Sequence, residues 1–388
     1  MTSWTTTPIQ KLGLVVTGST PKSMEADSWG DEVAFITPSD QQDGAREVAT
    51  ARALSSLGAQ RMRRRVVPPG STCFTCIGAT IGKTSLTSRT AVTNQQINTV
   101  VPHEGTDGRF LYYALTYNAP LIAQIASGSA TPIINKTQFQ EFRIKAPELP
   151  AQKAIGQVLG ALDDKIAVND RIRRASDELR GLKLRYWARS HSGSTEVSPL
   201  SSFGAFVNGR AFTKDATGTG RMVIRIAEIN SGPGGSTIYN NIDAPDEHLA
   251  RPGDVLFAWS GSLAVTRWYR PEAIINQHIF KVIPNIGVPA WLAYELVSEK
   301  LVDFKAVAAG KATTMGHIQR HHLDEPVLAP KPEQMNMLDA ELGPLWDRAL
   351  AAEQESLTLA ELRDTLLPKL MSGEIRVRDA ERVVEDAT

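Results

Sequence analysis

The sequence predicts an α+β chain in which two similar mixed α/β domains are separated by two long antiparallel coiled-coil helices, with pseudo-two-fold symmetry. Three observations predict it. Residues 146–190 begin with a proline-rich break and then read as one helix, with no Gly or Pro between Leu162 and Arg180. A second stretch, from Ala329 onward, resembles the first at an offset of about 183 residues, aligning Glu178-Leu179-Arg180 with Glu361-Leu362-Arg363. Ahead of each helix, matched segments occur in the same order, which marks a tandem repeat.

Composition bounds the class. The 388 residues are 42% hydrophobic and 22% charged, an ordinary globular balance long enough for two or more cores. Two cysteines suggest a reducing compartment without a disulfide framework. No apolar run reaches the roughly 18 residues of a membrane span, and the start MTSWTTTPIQKLG lacks the pattern of a signal peptide. The expectation is a cytoplasmic protein without membrane contact. Net charge is zero but uneven: +4 over 1–146, +3 over 147–190, −1 over 191–328 and −6 over 329–388. The two helical stretches therefore carry opposite sign, which favours their pairing.

In chain order, Val16–Lys22 matches Val207–Lys214 as a strand end and turn. Residues 32–40 match 221–230 as strands running into loops. Residues 66–82 match 249–265, with Pro69-Gly70 and Pro252-Gly253 at equal places. Asn94-Gln95-Gln96 matches Asn276-Gln277-His278, and Phe110–Leu115 matches Trp291–Leu296 as helix. Residues 128–139 match 310–321, which sets Lys136 against Ile318. The expected domains are 1–147, a spacer helix 148–192, a second domain 193–330, a C-terminal spacer helix 331–374 and a charged tail 375–388.

Spacings of three and four residues place Leu159, Leu162, Ile166 and Asn169 on the first helix seam, resumed by Leu179, Leu182 and Tyr186. The second seam uses Leu338, Leu342, Leu345, Ala349, Ala352, Leu359, Leu362, Leu366 and Leu370, with a kink or restart expected at Gly343-Pro344. At 1.5 Å per residue, about 40 residues make a rod of roughly 60 Å.

The helix entrances carry the most specific motifs. Glu148-Leu-Pro-Ala-Gln-Lys-Ala-Ile155, then Leu162-Asp-Asp-Lys-Ile166, and the C-terminal run Leu366-Leu-Pro-Lys-Leu-Met-Ser-Gly-Glu-Ile375 resemble the specificity subunits of type I restriction-modification enzymes. The resemblance covers nearly the whole chain and is strongest on the helices. Lys331-Pro-Glu-Gln-Met-Asn-Met337 departs from it by lacking the usual isoleucine. It implies two target-recognition domains, each reading one half of a split double-stranded DNA site, and helices that act as spacer and docking surface. The implied partners are two DNA methyltransferase subunits and, in a complete system, restriction subunits. S-adenosylmethionine, ATP and Mg²⁺ would then reside on those partners, with no cofactor in this chain. A helix pair tens of ångströms long suits two domains one to one and a half DNA turns apart, a turn being about 34 Å.

Chemical motifs point away from catalysis. Gly78-Ala-Thr-Ile-Gly-Lys-Thr84 has three residues between its glycines where a phosphate loop needs four, and reads as strand-turn-strand. Cys73 and Cys76 lack a second ligand pair and read as buried thiols. His317 and His321 have helical ligand spacing, but Ile318 stands where a zinc protease needs Glu. No methyltransferase motif, Gly-x-Gly-x-x-Gly or nucleophile elbow occurs, so a non-catalytic subunit is expected.

Candidate DNA-binding residues follow from donor and acceptor chemistry. Asn and Gln pair bidentately with adenine, Arg with guanine, and cations meet phosphates. The first domain offers Lys22, the basic run Arg63, Arg64 and Arg65, Lys83, Gln96, Lys136 and Gln138. The second offers Lys214, Arg267, His278, Lys311, His317 and Arg320. Asn94 and Asn276, alike in both domains, read as fold residues, whereas positions that differ read as base contacts. Helix-pairing and partner contacts fall to Leu159, Leu162, Ile166, Leu345, Leu362 and Leu366. Two other classes remain in view: a non-catalytic scaffold that docks partners through its coiled coil with no DNA role, and a catalytic restriction or methyltransferase chain. The polar Asn-Gln loops and helix-end motifs speak against the first, the missing motifs against the second.

Overall fold

The computed structural model describes residues 4–22, 25–41, 44–127, 131–309 and 316–387. The chain forms two compact units, Met1–Lys165 with Leu359–Thr388, and Ile166–Thr358. The long helices are therefore divided between the units rather than standing apart from them.

In the first unit an antiparallel sheet runs in the order Gly13–Thr17, Ile97–Pro102, Thr72–Thr75, Thr84–Leu86. A second sheet runs Trp29–Gly30, Arg52–Leu54, Val33–Ile36, Ala91–Thr93, its last pair parallel. Alternation along Val33–Ile36 explains how the layers join. Ala34 and Ile36 enter one apolar cluster with Val67, Cys73 and Ile97, while Phe35 enters another with Leu54 and Val92. A ribbon of Trp4–Pro8 against Arg143–Pro147 closes the unit. Helix α1 (Gly108–Gln124) starts where the Asp107 carboxylate accepts from the Phe110 amide at 2.8 Å.

The second unit repeats the plan. Its antiparallel sheet runs Gly204–Asn208, Ile279–Pro284, Val255–Ala258, Ala264–Arg267. The other sheet runs Ile238–Asn240, Arg221–Ile224, Ala273–Ile275, Leu249–Ala250, again with one parallel pair. Thr195–Pro199 pairs with Pro326–Pro330 as the closing ribbon. His248 is buried here against Phe212, ring centroids 5.6 Å apart, and neither ring nitrogen has a hydrogen-bond partner. Burial, aided by the Arg210 charge, holds its pKa below the usual imidazole value.

Helix α2 (Leu149–Ser190) and helix α4 (Met335–Ser372), with α3 (Ala290–Ala309) between them in sequence, each contribute to both units. In the first unit Leu159, Leu162, Leu366 and Leu370 are buried, with Leu362 half-buried. Asp163 accepts from Arg363 Nη1 at 2.7 Å and from the Tyr113 hydroxyl, while Arg46 reaches Asp164. In the second unit Ile166 is half-buried, and Leu345 packs half-buried against a cluster containing Leu338, Leu342 and Trp346. Asn169 donates to Glu355 at 2.8 Å and Lys183 pairs with Glu341 at 2.5 Å, so the two helices run antiparallel there.

Two expectations need correction. Leu179, Leu182 and Tyr186 do not continue the seam: they are 44%, 50% and 75% exposed. Asn169 is buried as expected, and beyond it the buried positions are the polar Ser176 and Arg180, with Trp187 packed on the core below them. Arg180 has no exposed surface. It donates to Glu295 at 2.9 Å and to Asp177 at 2.8 Å, and its guanidinium lies 5.1 Å from the Trp346 ring. Secondly, α4 is continuous through Gly343-Pro344. Pro344 and Ala340 are both exposed, so the amide donor that proline removes from the Ala340 carbonyl is lost on the solvent side of the helix. Past α4, the tail forms helix α5 (Val377–Ala387), with Ala380 fully buried.

These contacts set two expectations. Arg180→Met leaves Asp177 and Glu295 without this buried partner and should cost about 3–5 kcal/mol in urea unfolding, against at most about 0.5 kcal/mol for Leu182→Ala. Equal effects would contradict the polar seam. Because the folded-state pKa of His248 is lowered, its contribution is complete above the unfolded value near 6.5 and is lost as pH falls through the folded value. Thermal melts from pH 8 to 5 should show a decline below 6.5 that is smaller in His248→Phe, and parallel profiles would refute it.

Candidate nucleic-acid interface

The candidate site is built on a backbone crossing present in both units. At Gly18 an added Cβ would lie 2.1 Å from the Asn94 carbonyl oxygen, and at Gly209 the same 2.1 Å from that of Asn276. Only glycine permits this approach. The Asn94 amide donates to Ile36 at 2.9 Å, and the Asn276 amide donates to Ile224 at 3.1 Å, each extending the parallel strand pair of its sheet into the turn. Beside the crossing, the Cys76 amide donates to Gln96 and the Ile134 amide to Cys76. The Trp259 amide donates to His278 and the Ile318 amide to Trp259 in the same pattern. Matched backbone bonds thus pair Cys76 with Trp259, Gln96 with His278, and Ile134 with Ile318. By the same register Ile133 pairs with His317, and Lys136 with Arg320 rather than with Ile318. The sequence match was two residues out because the loops before it differ.

In the first unit the Asn94 amide group donates to Gln96 Oε1 at 3.0 Å, and its oxygen accepts the Gln96 N–H at 3.0 Å. Asn94 therefore shapes the turn and fixes Gln96. Lys22, Lys136, Arg63 and Arg64 are exposed. Arg65 instead braces the crossing, donating to Thr17 O at 2.8 Å and Gly18 O at 2.9 Å. Gln138 is held in a capping box with Asn135, its Oε1 accepting at 3.1 Å, and Lys83 Nζ donates to Gln41 O at 3.2 Å. Gly78–Thr84 is a 3-10 turn leading into a strand, not a phosphate loop.

Sequence reasoning missed Arg52. Its guanidinium lies 4.2 Å from the Trp29 ring and 5.3 Å from that of Phe35. Arg52 lines a groove of about 430 Å³ together with Thr37, Ser39, Asp40, Asn94 and Gln96. A single arginine outside any basic run gives no signal in a sequence, and only the fold places it beside Gln96.

In the second unit Trp259 Nε1 donates to Asn208 Oδ1 at 2.8 Å. Its ring lies 5.2 Å from His278 and 6.4 Å from His317. His278 adopts φ 73°, a left-handed backbone, and its Nδ1 is buried without a partner. Arg320 and Lys214 are exposed, and His321 stacks on His322 at 4.1 Å. Arg267 does not face outward as expected. It is 4% exposed, donates to Glu353 at 2.8 Å and Asp177 at 3.2 Å, and lies 4.4 Å from the Trp346 ring. Its charge is spent inside the second unit, on Glu353 and Asp177. Lys311 lies outside the described residues.

Cys73 and Cys76 are buried, and burial pushes their thiols up to about 11 and about 12. Among the described residues no group of His, Cys, Asp and Glu is placed to hold a metal, and no helix is long and apolar enough to cross a membrane. The geometry is that of a duplicated scaffold: one hydrogen-bond plan, two sets of side chains.

Comparison with known proteins shows what this scaffold is similar to. Residues 1–175 match the model of the type I restriction modification DNA specificity domain. The chain is 29% identical over 184 residues to the HindI specificity subunit of Haemophilus influenzae, spanning 47% of this chain and 40% of that one. It is 21% identical to the MjaIX specificity subunit of Methanocaldococcus jannaschii over 97% of this chain and 94% of that one. The fold matches the crystal structure of a type I restriction-modification S subunit from M. genitalium with TM-score 0.62 at 15% identity, over 95% of this chain and 96% of that one. The chain is thus similar throughout its length to type I restriction enzyme specificity subunits.

Proposed function

We propose that this chain is the non-catalytic DNA-specificity subunit of a type I restriction-modification system. The observation that carries the proposal is the repeated backbone crossing with unlike side chains. Gln96 and His278 occupy one framework position, and Cys76 and Trp259 another. A protein that reads two different short words with one fold needs this combination: a shared backbone hydrogen-bond framework and variable edges of donors and acceptors. Each unit reads one half of a split duplex site. Exposed Lys22, Arg63, Arg64, Lys136, Lys214 and Arg320 supply phosphate and base contacts.

The helices supply the partner surface. Leu179, Leu182 and Tyr186 form an exposed apolar stripe on α2, an arrangement suited to a protein partner. The partner is a DNA methyltransferase subunit, present in two copies, with restriction subunits joining the complete enzyme. Those subunits carry S-adenosylmethionine, ATP and Mg²⁺, and this chain directs their chemistry to a sequence.

Two experiments test this reading. Genome-wide mapping of methylated adenines in cells carrying the chain and its methyltransferase should give a split word, and His278→Asn, which suits the left-handed backbone, should alter or relax one half only. An unchanged word, or changes in both halves, would count against it. Tyr186→Asp with Leu182→Asp should reduce copurification of the methyltransferase by more than 10-fold at unchanged thermal stability, whereas undiminished recovery would remove the stripe from the interface.

A further inference from the structure

We propose that Arg52 reads a guanine in the half-site of the first unit, an inference that rests on the specificity-subunit reading above. Among the described residues Arg52 has no hydrogen-bond or ion-pair partner. By contrast, Arg61 is paired with Asp27, Arg46 with Asp164 and Arg65 with backbone carbonyls. Its guanidinium is held by the rings of Trp29 and Phe35. Aromatic stacking occupies the face of the guanidinium and leaves its edge of N–H donors unused. That edge matches the O6 and N7 acceptors of guanine in the major groove. Little side-chain freedom remains to be lost on binding, so the stacked arginine is already organised for a planar, two-point contact.

The surroundings select a base edge over a phosphate. Arg52 shares its groove with Asn94 and Gln96, the turn that carries a candidate base-reading amide, and with Thr37 and Ser39. The Asp40 carboxylate lines the same groove, held by the Thr37 amide at 2.8 Å, the Thr37 hydroxyl at 2.7 Å and the Ala51 amide at 3.1 Å. A fixed anion in the same groove repels a phosphate, whereas the polar edge of a base carries no net charge. The second unit lacks the feature. Phe35, the partner of Arg52 across the sheet, corresponds to Val223, whose partner is Ile238, an apolar residue packed on the local core. The arginine therefore belongs to what distinguishes the words the two units read.

The test uses the complex of the full chain with its methyltransferase. The wild-type word is mapped first, and competition binding then uses duplexes with each base pair of that word replaced. Arg52→Ala should cut discrimination at one guanine, in one half only, by about 10- to 100-fold, with the other positions unchanged. Arg52→Lys, which keeps the charge and loses the two-point fork, should relax the same position. Uniform weakening in Arg52→Ala that Arg52→Lys restores would assign Arg52 to a phosphate and overturn the proposal. An unaltered word with unaltered affinity, or a word without guanine in that half, would also overturn it. If the wild-type complex shows no sequence preference at all, the specificity-subunit reading itself fails, which is a separate result. Arg52 is exposed, and thermal melting checks that each variant is folded.

Discussion

The close approach of Gly18 to Asn94, repeated by Gly209 and Asn276, is the constraint on which the candidate interface depends. A side chain at either glycine would force the first strand away from the turn that follows the second sheet. With the crossing intact, the turn residues Gln96 and His278 stand beside the strand ends Cys76 and Trp259 at fixed backbone distances. The side chains at those positions are then free to differ without disturbing the fold. Such a division between invariant backbone and interchangeable edges is what a reader of short DNA words requires, because hydrogen-bond recognition fails when donors shift by an ångström.

The two units also solve the same packing problem with different chemistry. In the first, Asp163 sits on α2 and is bonded by Arg363 and Tyr113. In the second, the position one repeat later is Trp346, flanked by the guanidiniums of Arg180 and Arg267. Buried ion pairs seldom add much stability over apolar packing, but they penalise any register that leaves one charge alone. Burial of Glu295 and Glu353 raises their pKa values, a sign of how strongly these sites depend on the neighbouring arginines.

Much of the fold was legible before any coordinates. The repeat, the two long helices and the leucine seams of α4 follow from spacing and from matched segments, and the structure places Leu338, Leu342, Leu359, Leu366 and Leu370 in buried positions. The seam of α2 was half legible. Asn169 was read correctly, but the second half is carried by Ser176 and Arg180, residues that carry no apolar period, while the leucines that do carry one face outward. Pattern reading assumes that burial and hydrophobicity coincide, and a buried charged network breaks that assumption.

The site was less legible than the fold. Exposed cations such as Lys136 and Arg320 were found by type alone, but Arg267 has the same chemistry and is buried. Arg52 was invisible because its importance lies in the Trp29 ring beneath it and the groove beside it, neither of which is local in sequence. The most direct test of the account is a graft of first-unit side chains onto the second-unit framework: Asn208→Thr, Trp259→Cys, His317→Ile and Arg320→Lys in one chain, with His278 kept because its left-handed backbone disfavours Gln, followed by mapping of the methylated word. The account predicts a folded, active complex whose word changes in one half and is preserved in the other. A word unchanged in both halves, from a folded and active complex, would contradict it.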